Sequence, residues 1–191
     1  MRLFIAVLFK EEIKNTLYNT ITKLRDCSEG KYTAKDNLHL TLNFIGETDR
    51  LSDIGQIMER AVENSITKQF QLTIQGVGRF KRREGDIYWI GVQKEASLWR
   101  LQKELAEELK EAGFQDIEIK EYQPHITLGR KININQGFAV KELEEGLEPI
   151  MMEVNKISLM KSERLQGKLI YTEIFSVNLL EAAQLQHGGG L

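Results

Sequence analysis

The four residues His39-Leu40-Thr41-Leu42 return later in the chain as His125-Ile126-Thr127-Leu128. No other feature restricts the fold and the chemistry as tightly. In an extended strand, residues two apart share a face. Each copy therefore sets an imidazole and a hydroxyl on one side and two aliphatic side chains on the other. The aliphatic side must be buried, which leaves the polar pair facing open space. Two such strands side by side would line one cleft with two imidazoles and two hydroxyls, a set suited to acid–base work on a phosphate ester. The chain has only three histidines, and the motifs hold two of them.

The flanking segments repeat as well. Arg2 to Leu8 is an apolar run that reads as a strand. Ile13, Leu17, Tyr18, Ile21 and Leu24 fall at helical spacing, which predicts a helix from Glu11 to about Cys27 with Gly30 as its stop. The first motif strand runs from Leu38 to Ile45. A second helix is marked by Leu51, Ile54, Ile57, Met58, Ala61 and Val62, and Phe70 to Val77 alternates as a strand. Gly78 to Asp86, with Lys81-Arg82-Arg83 inside it, reads as a charged hairpin loop leading to the strand Ile87 to Val92. The order then recurs: a helix on Leu98, Leu101, Leu105, Leu109 and Ala112, then the second motif strand, then a short helix around Val140 to Leu147. Single strands are expected over Met152 to Met160 and Leu169 to Leu179.

Phe4 stands 35 positions before His39, and Trp89 stands 36 before His125. Ile74 lies 35 positions after the first His and Ile157 lies 32 after the second. These matched distances suggest two similar lobes about a pseudo-twofold axis, each a small sheet with helices outside. One bilobal domain over 1–185 is expected, its lobes interleaved, with approximate halves at residues 1–80 and 86–180, and residues 186–191 read as a patternless, flexible tail.

Composition narrows the function. With 191 residues, 41% of them hydrophobic and 28% charged, the chain reads as an ordinary globular protein. Its 26 basic and 28 acidic residues give a net charge of −2, which argues against coating long nucleic acid but not against gripping one strand end. The single cysteine, Cys27, excludes an intrachain disulfide and reads as a packing residue. No segment reaches the roughly 18 apolar residues of a membrane span, and the first apolar run is too short for a secretory signal. A cytoplasmic monomer without membrane attachment is expected.

The two His-x-Thr-x motifs and their surroundings resemble the two-histidine (2H) phosphoesterase superfamily, and within it the RNA 2′,3′-cyclic phosphodiesterases, also called 2′-5′ RNA ligase-like proteins. The likeness runs from about residue 2 to 179. It includes Arg2 to Val7, Asn37 to Glu47, Gly76 to Phe80, the Trp89 strand, Pro124 and Ser158 to Ser162. Gly129 departs from it, since many relatives carry Ala before the Arg. The resemblance implies an α+β fold of two lobes, each with an antiparallel sheet, facing across a V-shaped cleft. It implies no cofactor and no metal. It also implies hydrolysis of an RNA or nucleotide 2′,3′-cyclic phosphate to a 2′-phosphate, with His125 as base and His39 as acid, roles that the near-symmetric motifs allow to be exchanged.

Histidine suits both roles because its ordinary pKa lies near neutrality. Thr41 and Thr127 can donate to the non-bridging oxygens, where charge grows in the transition state. Arg130, just past the second motif, is a candidate phosphate ligand, with a surface ion pair as the alternative. Phe44 and Trp89 are candidate surfaces for base stacking, although Trp89 fits a core role better. The Lys81-Arg82-Arg83 run fits a solvated loop, with RNA contact as the alternative because Arg79 flanks it. Cys27 and His187 carry no functional reading. Competing functions are a nucleotide-binding module without turnover, a scaffold, and an enzyme for 2′-5′ oligonucleotides or another small cyclic phosphate.

Overall fold

A computed structural model describes residues 1–115, 117, 121–135 and 140–181 of the chain. The expected tail at 186–191, with His187, lies outside the described residues. In chain order the elements are β1 (Arg2–Leu8), α1 (Glu11–Asp26), β2 (Ser28–Tyr32), a 3₁₀ turn (Lys35–Asn37), β3 (His39–Glu47), α2 (Leu51–Asn64), β4 (Phe70–Phe80) and β5 (Asp86–Val92). They continue with α3 (Ala96–Glu111), β6 (His125–Ile134), α4 (Val140–Glu144), β7 (Ile150–Val154), β8 (Lys156–Leu165) and β9 (Lys168–Asn178).

The fold is α+β with two antiparallel sheets. One has four strands in the order β3-β1-β8-β9, the other five in the order β2-β6-β5-β4-β7. Helices α2 and α3 pack on each other, with α2 also against β9 and α3 against β3, while α1 lies on β2 and β6 and α4 on β4. The two motif strands, β3 and β6, approach one another where the sheets meet.

Strand β1 illustrates how sequence sets the layers. Leu3, Ile5 and Val7 belong to the main hydrophobic core, together with Leu17, Ile21 and Leu24 of α1. Phe4 and Ala6 point the opposite way and form a separate small cluster with Met160, against which Tyr171 packs. Both faces of β1 are therefore buried, which accounts for its unbroken apolar run. Leu40, Leu42, Ile126 and Leu128, the aliphatic members of the motifs, are buried in the main core.

Three expectations need correction. Helix α1 ends at Asp26, where the Cys27 N–H closes on the Leu24 carbonyl. Gly30 lies inside strand β2, paired with β6, where a Cβ would come within 2.5 Å of Ile132 Cδ1 and 2.7 Å of the Lys131 carbonyl oxygen, so glycine serves a close approach of strands and not a helix stop. Strand β4 runs on to Phe80, so the hairpin loop is only residues 81–85. Gly78 is a strand residue across which the Trp89 indole lies, 2.3 Å from where a Cβ would stand. Finally, the run from Met152 to Met160 is two strands in different sheets. Val154 pairs with Phe70 in β4, whereas Lys156 pairs with Asn178 in β9. The chain crosses between sheets at Asn155, whose carbonyl accepts from Leu179 N–H at 2.8 Å. The apolar alternation shifts phase by one residue there, from Met152 and Val154 to Ile157 and Leu159, while both strands contribute to one continuous core.

Candidate active site

His39 opens β3 and His125 opens β6, and both rings are fixed in the same way. The Nδ1 of His39 lies 2.7 Å from the Asn37 carbonyl oxygen, and the Nδ1 of His125 lies 2.8 Å from that of Gln123. A carbonyl can only accept, so Nδ1 carries the proton in each ring and a neutral Nε2 offers its lone pair. His39 Nε2 stands 2.9 Å from Thr41 Oγ1, which donates to it. No hydrogen-bond partner meets His125 Nε2 among the described residues.

Two aromatic rings support each imidazole. His39 packs on Phe4 (centroids 4.8 Å apart) and edge-on to Tyr171 (5.2 Å). His125 meets Phe80 edge-on at 5.1 Å and Trp89 at 6.3 Å. This burial disfavours the imidazolium and holds both pKa values below the ordinary histidine value; the carbonyl bonds at Nδ1 oppose the shift, and the Arg130 charge adds to it. His125 also lowers His39. Both rings are therefore neutral near pH 7 in the free protein.

The rings face a cavity of about 460 Å³ lined by Arg2, Phe4, Thr33, Asn37, His39, Thr41, Phe44, His125, Thr127, Arg130, Ser162, Arg164, Leu169 and Tyr171. Of the residues singled out from sequence, His39, Thr41, Phe44, His125, Thr127 and Arg130 all line it. Trp89 does not. Its indole packs over Gly78 and against Phe80 (5.2 Å), behind His125, with Nε1 buried and without a partner.

Phe44 and Arg130 reach the cavity through an irregularity that period-two reasoning cannot anticipate. Strict alternation would turn both away from the His-Thr face. In β3, Thr41 pairs with Ala6 and Asn43 with Ile5, so Leu42 is an extra residue. In β6, Thr127 pairs with Trp89 and Gly129 with Tyr88, so Leu128 is extra. Each bulge buries the residue two after the Thr, Asn43 or Gly129, and swings the third, Phe44 or Arg130, out to the cleft. The two motifs thus place an aromatic ring and a guanidinium at equivalent positions on opposite walls.

Sequence reasoning missed Arg2, Thr33, Arg164 and Tyr171. Arg2 is two residues from Phe4 on the same face of β1, and that spacing was the available signal. Its guanidinium lies over the Phe44 ring, 4.9 Å from the centroid. Thr33 Oγ1 donates to the Thr127 carbonyl at 2.8 Å and braces the second motif. Tyr171 and Arg164 sit on β9 and β8, far from any motif in sequence. Among the described residues no group of three or more His, Cys, Asp or Glu side chains is placed to hold a metal ion.

With this geometry in place, the 2′-5′ RNA ligase superfamily model matches residues 12–166. The chain belongs to the 2′-5′ RNA ligase superfamily. Members of the superfamily similar to it include a Thermotoga maritima protein named RNA 2′,3′-cyclic phosphodiesterase, 37% identical over 134 residues, covering 68% of this chain and 70% of the relative. An Archaeoglobus fulgidus protein of the same name is 34% identical, over 68% of this chain and 72% of its own. Superfamily likeness extends to solved structures. A Thermus thermophilus protein superposes with a TM-score of 0.73 at 25% identity, over 95% of this chain and 99% of that one. E. coli LigT complexed with 3′-AMP gives 0.69 at 25% identity, over 93% and 97%. This is the two-histidine phosphoesterase superfamily to which the motifs pointed. No helix among the described residues is long and apolar enough to cross a membrane.

Proposed function

We propose that this protein opens the 2′,3′-cyclic phosphate at an RNA 3′ end or on a nucleotide, leaving a 2′-phosphate. The observation that carries the reading is the matched pair of imidazoles, each pinned at Nδ1 so that Nε2 addresses one shared cavity. The names of the relatives, and the 3′-AMP bound to LigT, agree with a nucleotide phosphate as ligand.

In the proposed step, a water oxygen bonds to phosphorus while the bond from phosphorus to O3′ breaks. His125 Nε2, whose lone pair is unengaged, takes the proton from the water. His39, protonated, gives the proton on Nε2 to O3′. Burial keeps His39 neutral in the free protein, and the negative charge of the bound phosphate raises its affinity for the proton. Thr41 and Thr127 donate to the non-bridging oxygens, and Arg130 and Arg2 offset the charge that grows there. Phe44, 42% exposed at the cavity rim, is the surface for a base. An RNA 5′-hydroxyl in place of water would run the same step toward a 2′-5′ linkage.

The test is incubation with a nucleoside 2′,3′-cyclic phosphate in excess chelator, followed by phosphorus NMR of the product. A nucleoside 2′-phosphate is expected. Binding without turnover would replace this reading with a non-catalytic nucleotide-binding module.

A further inference from the structure

The β4–β5 hairpin carries a charge pattern that the site itself does not use. Within it, Asp86 is engaged by Arg79 at 3.0 Å and by the Arg82 main-chain N–H at 3.1 Å. Glu84 is held by Lys131 at 2.5 Å. Both carboxylates are thus occupied, while Lys81, Arg82 and Arg83 stay exposed. Arg82 bonds only a carbonyl, that of Lys81, and lies 5.9 Å from the Phe80 ring centroid; Arg83 forms no ion pair among the described residues.

The hairpin is not a free flap. Gly85, at φ +102°, sits so close to the Lys131 main chain that a Cβ would come within 2.7 Å of it. Together with the Glu84–Lys131 pair, this seats the loop on β6 just beyond Arg130. As a result Arg82, Arg83, Ile87 and Arg130 share a shallow depression of about 340 Å³ with Gly85 and the Glu84–Lys131 pair. Arg130 also lines the catalytic cavity, so one guanidinium belongs to both. Arg130, Arg82 and Arg83 therefore link the phosphate site to the hairpin tip, with the Glu84–Lys131 pair neutralised between them.

A strand whose last phosphate occupies the cavity must carry its remaining phosphates away across the protein surface. We infer that Arg82 and Arg83 bind backbone phosphates of the single-stranded RNA segment leading to the cyclic end, which makes the preferred substrate an oligonucleotide rather than a mononucleotide. This rests on the function proposed above. Arginine suits the task because it contacts phosphate oxygens in pairs and keeps its charge at any physiological pH. Contacts of this kind read backbone charge and not base identity.

The double variant Arg82→Ala/Arg83→Ala tests it. Both side chains are exposed and lie outside the cavity, so folding and turnover of a nucleoside 2′,3′-cyclic phosphate should match the wild type. Binding of a single-stranded RNA of about ten nucleotides ending in a 2′-phosphate, followed by fluorescence anisotropy, should weaken on the order of tenfold at low salt. The slope of log affinity against log salt should flatten by about 1.4, or about 0.7 for each phosphate contact removed. The same charge change on α3, Arg100→Ala/Lys103→Ala, should alter neither quantity. Unchanged RNA affinity and slope in the hairpin variant would overturn the inference, as would an equal loss in both double variants. Equal loss of mononucleotide turnover would also overturn it, by showing that the hairpin acts on the cavity. If the wild type turns over neither the mononucleotide nor a single-stranded RNA ending in a 2′,3′-cyclic phosphate, the proposed reaction fails, and the anisotropy comparison still decides whether the hairpin binds RNA.

Discussion

The hydroxyl of Tyr122 donates a 2.7 Å hydrogen bond to the main-chain carbonyl of Thr41. Tyr122 stands three residues before His125, while Thr41 is the hydroxyl residue of the other motif. One half-buried bond therefore ties the approach to the second motif to the middle of the first. Edge-on packing of Trp99 on the Tyr122 ring, with centroids 5.6 Å apart, holds it there. Burial also raises the phenol's pKa, so it remains a donor throughout the working range.

Tyr122→Phe keeps the ring and removes the bond. The Thr41 carbonyl then lacks its partner, which should cost about 1–3 kcal/mol in stability. Because the bond sets the relation between the two His-Thr strands, kcat should fall roughly tenfold with KM little changed. Urea unfolding and steady-state kinetics check the two parts separately.

The pH profile follows from the buried imidazoles. In the free enzyme both pKa values lie below the ordinary histidine value. The base must be neutral, so activity falls as pH drops through its pKa; the acid must be protonated, so activity falls as pH rises through the other. The whole bell for kcat/KM is thus displaced to the acid side of about 6.5. For kcat, the bound phosphate raises the pKa of His39 and carries the alkaline limb upward. His125→Ala should lose the acid limb and His39→Ala the alkaline limb in the residual rates; exchanged limbs would reverse the roles, and loss of the same limb in both would remove the division.

Trp89 is expected to act as a support for His125. Gly78→Ala places a methyl group 2.3 Å from the indole, and the ring must move. Overpacking of this kind costs about 1–3 kcal/mol, and here it also disturbs a neighbour of the base. Turnover should drop while a thermal melt records the destabilisation, and tryptophan emission should shift.

Much of this molecule was legible in its sequence. His39, Thr41, His125 and Thr127 declared themselves because a polar pair opposite two aliphatic residues has few uses. The amphipathic faces of α1, α2 and α3 were plain from spacing. Three things were hidden, each for a physical reason. The bulges at Leu42 and Leu128 obey no period, so the outward turn of Phe44 and Arg130 had no signature. The crossing at Asn155 left only a one-residue phase shift between Val154 and Ile157, easily lost in an apolar run because both feed the same core from different sheets. Tyr171 entered the site through tertiary packing: β9 is the far edge of the sheet β3-β1-β8-β9, yet the Tyr171 ring meets Phe4 and His39, a contact that local patterns do not encode.

Arg130 and Arg2 line the cavity from different strands, β6 and β1. Arg130→Ala should lower kcat/KM by about 10²–10³, the scale for losing one group that stabilises transition-state charge. Arg130→Lys should recover only part of this, since an ammonium lacks the forked geometry. Kinetics on a nucleoside 2′,3′-cyclic phosphate read both directly.

The division of proton transfer between two imidazoles is tested most directly by turnover of a nucleoside 2′,3′-cyclic phosphate in wild type, His39→Ala, His125→Ala and the double variant. Each single change should reduce kcat by about 10²–10⁴. The double variant should be at most roughly tenfold slower than the weaker single one, because the two rings act as a unit. A single variant that keeps near-wild-type turnover would contradict the account.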